Sequence, residues 1–439
     1  YRVLTFILWF LSGVFVYKIL KTMNFMKESD RFYISLLFLI SPLYVSKIAL
    51  ICFPYTFCNA VFYYGFYLVS ISDINRMEIK RRLYILFLFF ISFFTNSFLV
   101  FYLVVLLYMF YKVYDSGDSF LGNLRRFVIS KLDFLLLPIV FFVIKSIYFA
   151  SSGFYEDYNR INLNYIYDMK MYALSFVGSF IEPLKDSLGL AAVIVYANLI
   201  YISLFIYFSV SKEEIRRYCI LFSLGIFLFL LGSLPYVAVG KIPADIQWDS
   251  RLQLLLPLGF SLILYGTLSV TSEIFGLQRF LKVFLVFIVV SFMYYHAKNY
   301  IKYNMDWYYQ KGVIENFREN KKIYENTTFI VNDSELRERL AKKRYLACYE
   351  YAGMSREAFN LDDKLFVPFG EKIELYSKYK IFITHNFSNW IYKEPVYLTI
   401  KGIKRNALFY FYLKYLELFN KDRFKDEIKK LVVIEVKNS

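Results

Sequence analysis

The chain has 439 residues, of which 58% are hydrophobic and 22% aromatic, and its mean hydropathy is +0.43. An ordinary soluble domain is about 45–50% apolar, so this composition excludes a soluble enzyme, a disordered chain and a disulfide scaffold, and calls for a polytopic α-helical membrane protein. A formal net charge of +16, from 52 basic and 36 acidic residues, points in such a protein to basic cytoplasmic loops and lipid headgroups rather than to nucleic acid.

A spanning helix needs about 20 mostly apolar residues. The first such run is Arg2–Leu20, followed by 33–50 and 57–71, with Cys52-Phe-Pro-Tyr-Thr read as a turn between them. The run 83–112 is too long for one span, and Thr95-Asn96-Ser97 at its middle predicts two short helices meeting there. Further spans are expected at 131–149, 188–210, 218–237, 252–272 and 280–297, which makes about ten in a membrane domain over residues 1–297. From Lys298 to Ser439 the chain carries 27 Lys/Arg and 19 Asp/Glu, more than half of all charges in a third of the length. This segment reads as a soluble domain, 298–439. Its runs Thr328–Asn332, Leu365–Pro368, Lys380–Thr384, Val396–Ile400 and Val432–Val436 have strand length and composition. Helical patterns over Ser334–Ala352 and Asn406–Lys430 complete an α/β domain.

Loop basicity sets the expected orientation. One set of loops holds 16 basic residues, among them Lys27, Arg31, Arg82, Lys131 and Arg217, and the opposite set (51–57, 151–187 and 238–251) holds five. The first set is expected in the cytoplasm, and the 298–439 domain is then extracytoplasmic.

The residues of interest fall on the sparsely basic side. Lys47 and Lys145 sit in apolar stretches, where a charge costs at least about 2.5–3.5 kcal/mol; they either snorkel to the interface or face a cavity and pair with an anion such as a lipid phosphate. Asn96 is either a helix cap or the polar lining of a cavity. Glu156, Asp157 and Arg160 form one cluster, either a solvated loop or a carboxylate base beside a phosphate-binding guanidinium. Lys241, Asp245, Trp248, Asp249 and Arg251 form a second. Arg251 directly precedes the apolar run Leu252–Pro257, a good place to hold a headgroup phosphate bidentately. His296 and His385 are isolated and read as ordinary polar residues. Cys52 and Cys58 flank a turn and read more readily as free thiols than as a disulfide. No glycine-rich phosphate loop and no metal-spaced His/Cys cluster is present, and the N-x-Ser/Thr triplets at Asn326, Asn332 and Asn386 carry no weight.

This pattern resembles the GT-C membrane glycosyltransferases, in particular the branch with polyprenyl-phosphate-sugar protein mannosyltransferases and lipid A aminoarabinose transferases. Arg2–Lys18 is similar to the second span of that family. Ile40-Ser-Pro, Lys80-Arg-Arg and the split pair around Thr95-Asn-Ser resemble the spans that follow, and Gly240-Lys-Ile-Pro with Trp248-Asp-Ser-Arg resembles an outer motif. The resemblance implies transfer of a sugar from a polyprenyl-phosphate donor to an outer acceptor glycan, lipid or protein, within the lipid bilayer. It implies that Lys47, Lys145, Arg160, Lys241, Trp248, Arg251 and Asn96 surround the donor phosphate, and it leaves room for a divalent metal ion. The family's acidic motif lies in the loop before its second span, so the principal catalytic carboxylate is expected ahead of Tyr1, with Glu156, Asp157 and Asp249 as weaker candidates. Three other readings stay open: an O-antigen polymerase or ligase, a non-catalytic membrane subunit whose outer domain binds a partner protein, and a transporter.

Overall fold

The computed structural model describes residues 1–74, 76–149, 160–189, 211–246, 248–371 and 390–437. They divide into two compact units, one within residues 1–296 and one from Ala297 onward.

The first unit is helical. α1 (Arg2–Lys21) ends with Lys18 and Lys21 in its last turn, where cations complement the helix dipole. α2 (Glu28–Ile40) opens on Glu28 and Asp30 and stops at Ile40. The run 33–50 is therefore not one helix. Ser41 precedes Pro42, and the proline ring excludes helical backbone from the residue before it, leaving Ser41 at ψ 140. The chain then makes short turns over Val45–Ile48 and Leu50–Cys52 before α3 (Phe53–Ile71). Pro54 lies at the start of α3, so the expected turn Cys52–Thr56 is instead a helix cap and first turn. α4 (Ile79–Ser92), α5 (Ser97–Phe101) and α6 (Leu103–Val113) show the split around Thr95-Asn96-Ser97. α7 (Phe120–Ser130) and α8 (Leu132–Tyr148) meet at a 60° bend.

The segment 151–187, read as a loop, contains α9 (Leu163–Ile166), α10 (Met169–Phe176) and a π-helical turn at Val177–Ile181. α11 (Lys212–Val237), α12 (Pro257–Ile274) and α13 (Gln278–Glu319) follow. Residues 190–210 of the expected span 188–210 lie outside the described residues. Among the described residues, three helices are long and apolar enough to cross a membrane: Arg2–Lys21, Lys212–Val237 and Phe280–Glu319; the bent pair α7–α8 makes a fourth if it is one span. This suggests a membrane protein.

α11 and α12 touch backbone to backbone. Gly225 and Gly232 on α11 stand two turns apart, as do Gly259 and Gly266 on α12. A Cβ on Gly259 would come within 2.6 Å of the Phe229 nitrogen, and one on Gly225 within 2.7 Å of the Ile263 nitrogen. Small residues of this kind let helices approach closely where apolar burial alone gives no preference for protein over lipid. Gly259→Leu should therefore force the pair apart, at a cost of at least about 1–3 kcal/mol. A lower melting temperature and loss of the monodisperse peak in size-exclusion chromatography are expected; an unchanged melting temperature would refute the close packing.

The basic end of this unit is held by a buried carboxylate that the loop counting passed over. Asp30 is fully buried and accepts a hydrogen bond from the Tyr265 hydroxyl at 2.6 Å and one from the Lys27 N–H at 3.1 Å. The Arg217 guanidinium lies 3.3 Å from it and also pairs with Glu214, which meets Lys27 at 2.8 Å. Part of the basic excess is thus consumed in tying α2 to α11 and α12.

The second unit is built on a four-stranded sheet of order β2-β1-β3-β4. After α14 (Lys321–Glu325) come β1 (Thr328–Asn332), β2 (Leu365–Pro368), β3 (Val396–Gly402) and β4 (Val432–Lys437). β1 runs parallel to β2 and β3, while β4 is antiparallel to β3. The expected strand Lys380–Thr384 lies outside the described residues. Ser334–Ala352 is not one helix: α15 (Ser334–Arg337) ends in a turn with Lys342 at φ 54, and α16 (Cys348–Phe359) starts afresh. Asn406–Lys430 is likewise two helices, α17 (Ala407–Phe419) and α18 (Lys421–Lys429). Asn420 separates them, and its side chain accepts a hydrogen bond from the Arg423 N–H at 3.1 Å to cap the second.

The core of this unit stacks Phe366 against Phe329 and Phe317, at 4.9 and 5.8 Å. Beside it Arg344 and Asp306, only 2% and 3% exposed, pair at 2.9 Å. The Asp306 carboxylate also accepts the Ala341 N–H at 2.7 Å, and Arg344 reaches Glu350 at 2.9 Å.

Candidate functional site

At the other end of the first unit, the segment after α2, the π-helical turn and the segment 238–256 interlock through polar groups. Tyr44 takes a left-handed backbone conformation, φ 54, which reverses the chain behind Pro42. Its N–H donates to the Gln253 side-chain oxygen at 3.0 Å, and its hydroxyl donates to the Cys52 carbonyl at 3.0 Å. The Gln253 amide donates to the Ser179 hydroxyl at 3.1 Å, which donates in turn to the Pro243 carbonyl at 2.8 Å. The Ser46 N–H donates to the Ser250 hydroxyl at 3.1 Å. The Tyr295 hydroxyl donates to Asp245, and His296 Nε2 meets the Ile40 and Ser41 carbonyls at 3.1 and 2.8 Å. Both carbonyls can only accept, so Nε2 carries the proton.

This frame fixes the cations. Lys47 lies in the turn beyond α2, not inside a span. Its Nζ is buried with no hydrogen-bond partner among the described residues and stands 4.6 Å over the Trp9 ring. A ring face replaces only part of the lost hydration, and burial pushes the Lys47 amine down to about 7. The Ser46–Ser250 hydrogen bond brings Lys47 beside the turn Asp249–Gln253, which carries Arg251. Lys241 is half-buried nearby; burial, then the positive Arg251, push its amine down to about 8 against the opposing pull of Asp249. Asp249 itself is exposed and Trp248 partly so. Lys47, Lys241 and Arg251 thus gather at one end of this unit, where the Asp245 and Asp249 carboxylates also lie.

The remaining expected residues group around this end. Lys145 donates to the Asn96 side-chain oxygen at 2.7 Å, so these two meet each other. Tyr236 reaches Ser97 at 3.3 Å and ties the α4–α5 break to the end of α11. Arg160 is exposed, and the neighbouring Asn162 N–H donates to the Ala238 carbonyl at 2.9 Å. Gly240, at φ 73, lets Tyr165 lie where a Cβ would come within 2.9 Å of its ring. Glu156, Asp157 and His385 lie outside the described residues. Cys52 and Cys58 are free and buried. No group of three or more His, Cys, Asp or Glu that could hold a metal occurs among the described residues.

Tyr44, Gln253, Ser179, Ser250 and the Asp245–Tyr295 pair were not legible as a framework. Two signals existed: a proline directly after Ser41, and Gln253 as a lone amide in an apolar run. Elsewhere in this unit, Val16, Leu20, Tyr63, Leu224, Leu258 and neighbours line an apolar crevice of about 250 Å³. Its lining suits hydrocarbon rather than sugar.

An anion held by these two lysines would bind in a pH-dependent way. Affinity for a polyprenyl monophosphate should fall as pH rises from 7 to 9, because both amines lose their protons there while the phosphate keeps its charge. Lys241→Arg should flatten much of that fall, since a guanidinium stays charged; titrations at pH 7 and 9 give the comparison.

No family model matches the chain, and neither a curated protein nor a solved structure matches it.

Proposed function

We propose that the protein is a membrane glycosyltransferase that moves a sugar from a polyprenyl-phosphate donor to an acceptor on the outer side of the membrane. The observation that supports this most directly is the buried Lys47 Nζ, which lacks a hydrogen-bond partner among the described residues and stands on the same interlocked frame as Lys241 and Arg251. A buried cation without a partner is costly, and an anionic headgroup supplies what it lacks. In a transfer reaction the phosphate leaving group gains negative charge as the sugar departs, and pre-placed cations stabilise that charge without reorganising. Arg251 offers a planar fork to two phosphate oxygens, while Lys47 and Lys241 act as point charges. Lys145 and Asn96 line the adjoining polar break. An acceptor hydroxyl needs a carboxylate to take its proton. Asp249 is a described candidate, and the sequence candidates Glu156 and Asp157 lie outside the described residues.

The test is direct. Protein in nanodiscs is offered a panel of polyprenyl-phosphate sugars with cell-envelope acceptors, and release of polyprenyl phosphate is followed. Release that requires Arg251 supports transfer. Tight donor binding with no release from any donor would replace this reading with a non-catalytic lipid-binding subunit.

A further inference from the structure

We infer that the second unit carries a saccharide-binding pocket between α13 and α16. Trp307, Gln310, Lys311 and Ile314 recur at i, i+3, i+4 and i+7, and so share one face of α13. Glu350, Gly353, Met354 and Glu357 repeat the same spacing on α16. The two faces line a half-open cavity of about 200 Å³. Gly353 lies exposed at its rim, where a Cβ would meet nothing within 4 Å and the space is open.

Size and chemistry select the ligand. Drug-sized sites measure about 300–1,000 Å³, and a cavity of about 150 Å³ holds one benzene ring, so this pocket takes one six-membered ring. Ile314 and Met354 are buried at its floor. Trp307, partly buried and with Lys311 Nζ 5.6 Å from its ring centroid, leaves only its remaining ring surface for the apolar face of a pyranose. Glu350, Glu357 and Gln310 offer planar acceptors and donors for hydroxyl groups. The charges are already offset: Lys311 pairs with Glu357, and Arg344 holds Glu350 at 2.9 Å. A free cation or anion would have to disrupt one of these pairs, whereas a neutral polyol can hydrogen-bond to both. The pocket deepens the proposed function as a place to hold an acceptor glycan and in that role rests on it, but its test reads binding alone.

The experiment uses the full chain in nanodiscs and saturation-transfer NMR with methyl glycosides of glucose, mannose, galactose and N-acetylglucosamine, with choline as the cationic control. Saturable millimolar binding of at least one glycoside is expected. Gly353→Leu fills the open space with a better helix former and should abolish that binding. Gln310→Ala should weaken it several-fold and carries the test if the first variant fails to fold. Polyprenyl monophosphate binding should be unchanged in both variants, which separates failure here from failure of the transferase reading. Glycoside binding that survives both substitutions, binding of choline alone, or no glycoside binding to the wild type would each overturn the inference.

Discussion

A Lys47→Met protein should be more thermostable than the wild type and should bind a polyprenyl monophosphate at least tenfold more weakly. Lys47 Nζ is buried over Trp9 without a hydrogen-bond partner among the described residues, so the folded protein bears the cost of desolvating it. Methionine has a similar length and no polar head, and it removes that cost. The pH dependence gives an independent check. The amine titrates near 7 in the folded chain and at its ordinary 10.5 when unfolded. Between these values the unfolded chain holds a proton that the folded chain has shed, so wild-type stability should rise with pH from about 7 to 10.5. That slope should be smaller in Lys47→Met.

Arg251→Ala serves as the contrast. It should also lose binding, because truncating one side of a buried charged contact costs about 2–5 kcal/mol, or more than tenfold in affinity. It should bring no gain in stability. Sugar transfer should fall with binding in both variants. If Lys47→Met is less stable than the wild type, or binds the lipid as well, Lys47 is only an interface anchor.

The second large effect belongs to Arg344. Removing it as Arg344→Met leaves Asp306 buried with its carboxylate uncompensated, which costs about 3–5 kcal/mol. The double variant Arg344→Met/Asp306→Asn should recover part of the loss, because an amide needs no counter-charge. Thermal unfolding of the three proteins gives the comparison. Equal losses in the single and double variants would show that Arg344 acts through packing alone.

Much of the helical layout follows from local physics that a single sequence displays. Apolar runs placed α1, α3, α8 and α11, and Asn96 marked the break between α4 and α5. Cations in apolar stretches drew attention to Lys47 and Lys145, and a charged cluster in the loop 238–251 drew it to Lys241 and Arg251. Two kinds of feature escaped. One was helix ends set by a single residue, such as Ser41 before Pro42 or Asn420 capping α18, because hydropathy averaging runs across them. The other was pairing over long separations. Tyr44 and Gln253 are 209 residues apart, and Asp30 and Tyr265 are 235 apart. Each is an unremarkable polar residue in its own neighbourhood, and only the fold supplies its partner.

The close seating of α12 bears on how such a chain is made. Nearly every residue of α12 from Pro257 to Glu273 is buried, and its glycines rest on the backbone of α11. Left alone in lipid it would expose Ser261, Ser269 and Glu273 to hydrocarbon, where a charge is poorly tolerated. During synthesis α12 is therefore best released from the insertion machinery together with α11, as a hairpin. Until then Asp30, near the start of α2, waits for Tyr265 and Arg217. A ribosome that stalls before Pro257 leaves α2 without the helix it packs on and Asp30 without Tyr265, and that half-assembled species is the form expected to be cleared by membrane quality-control proteases.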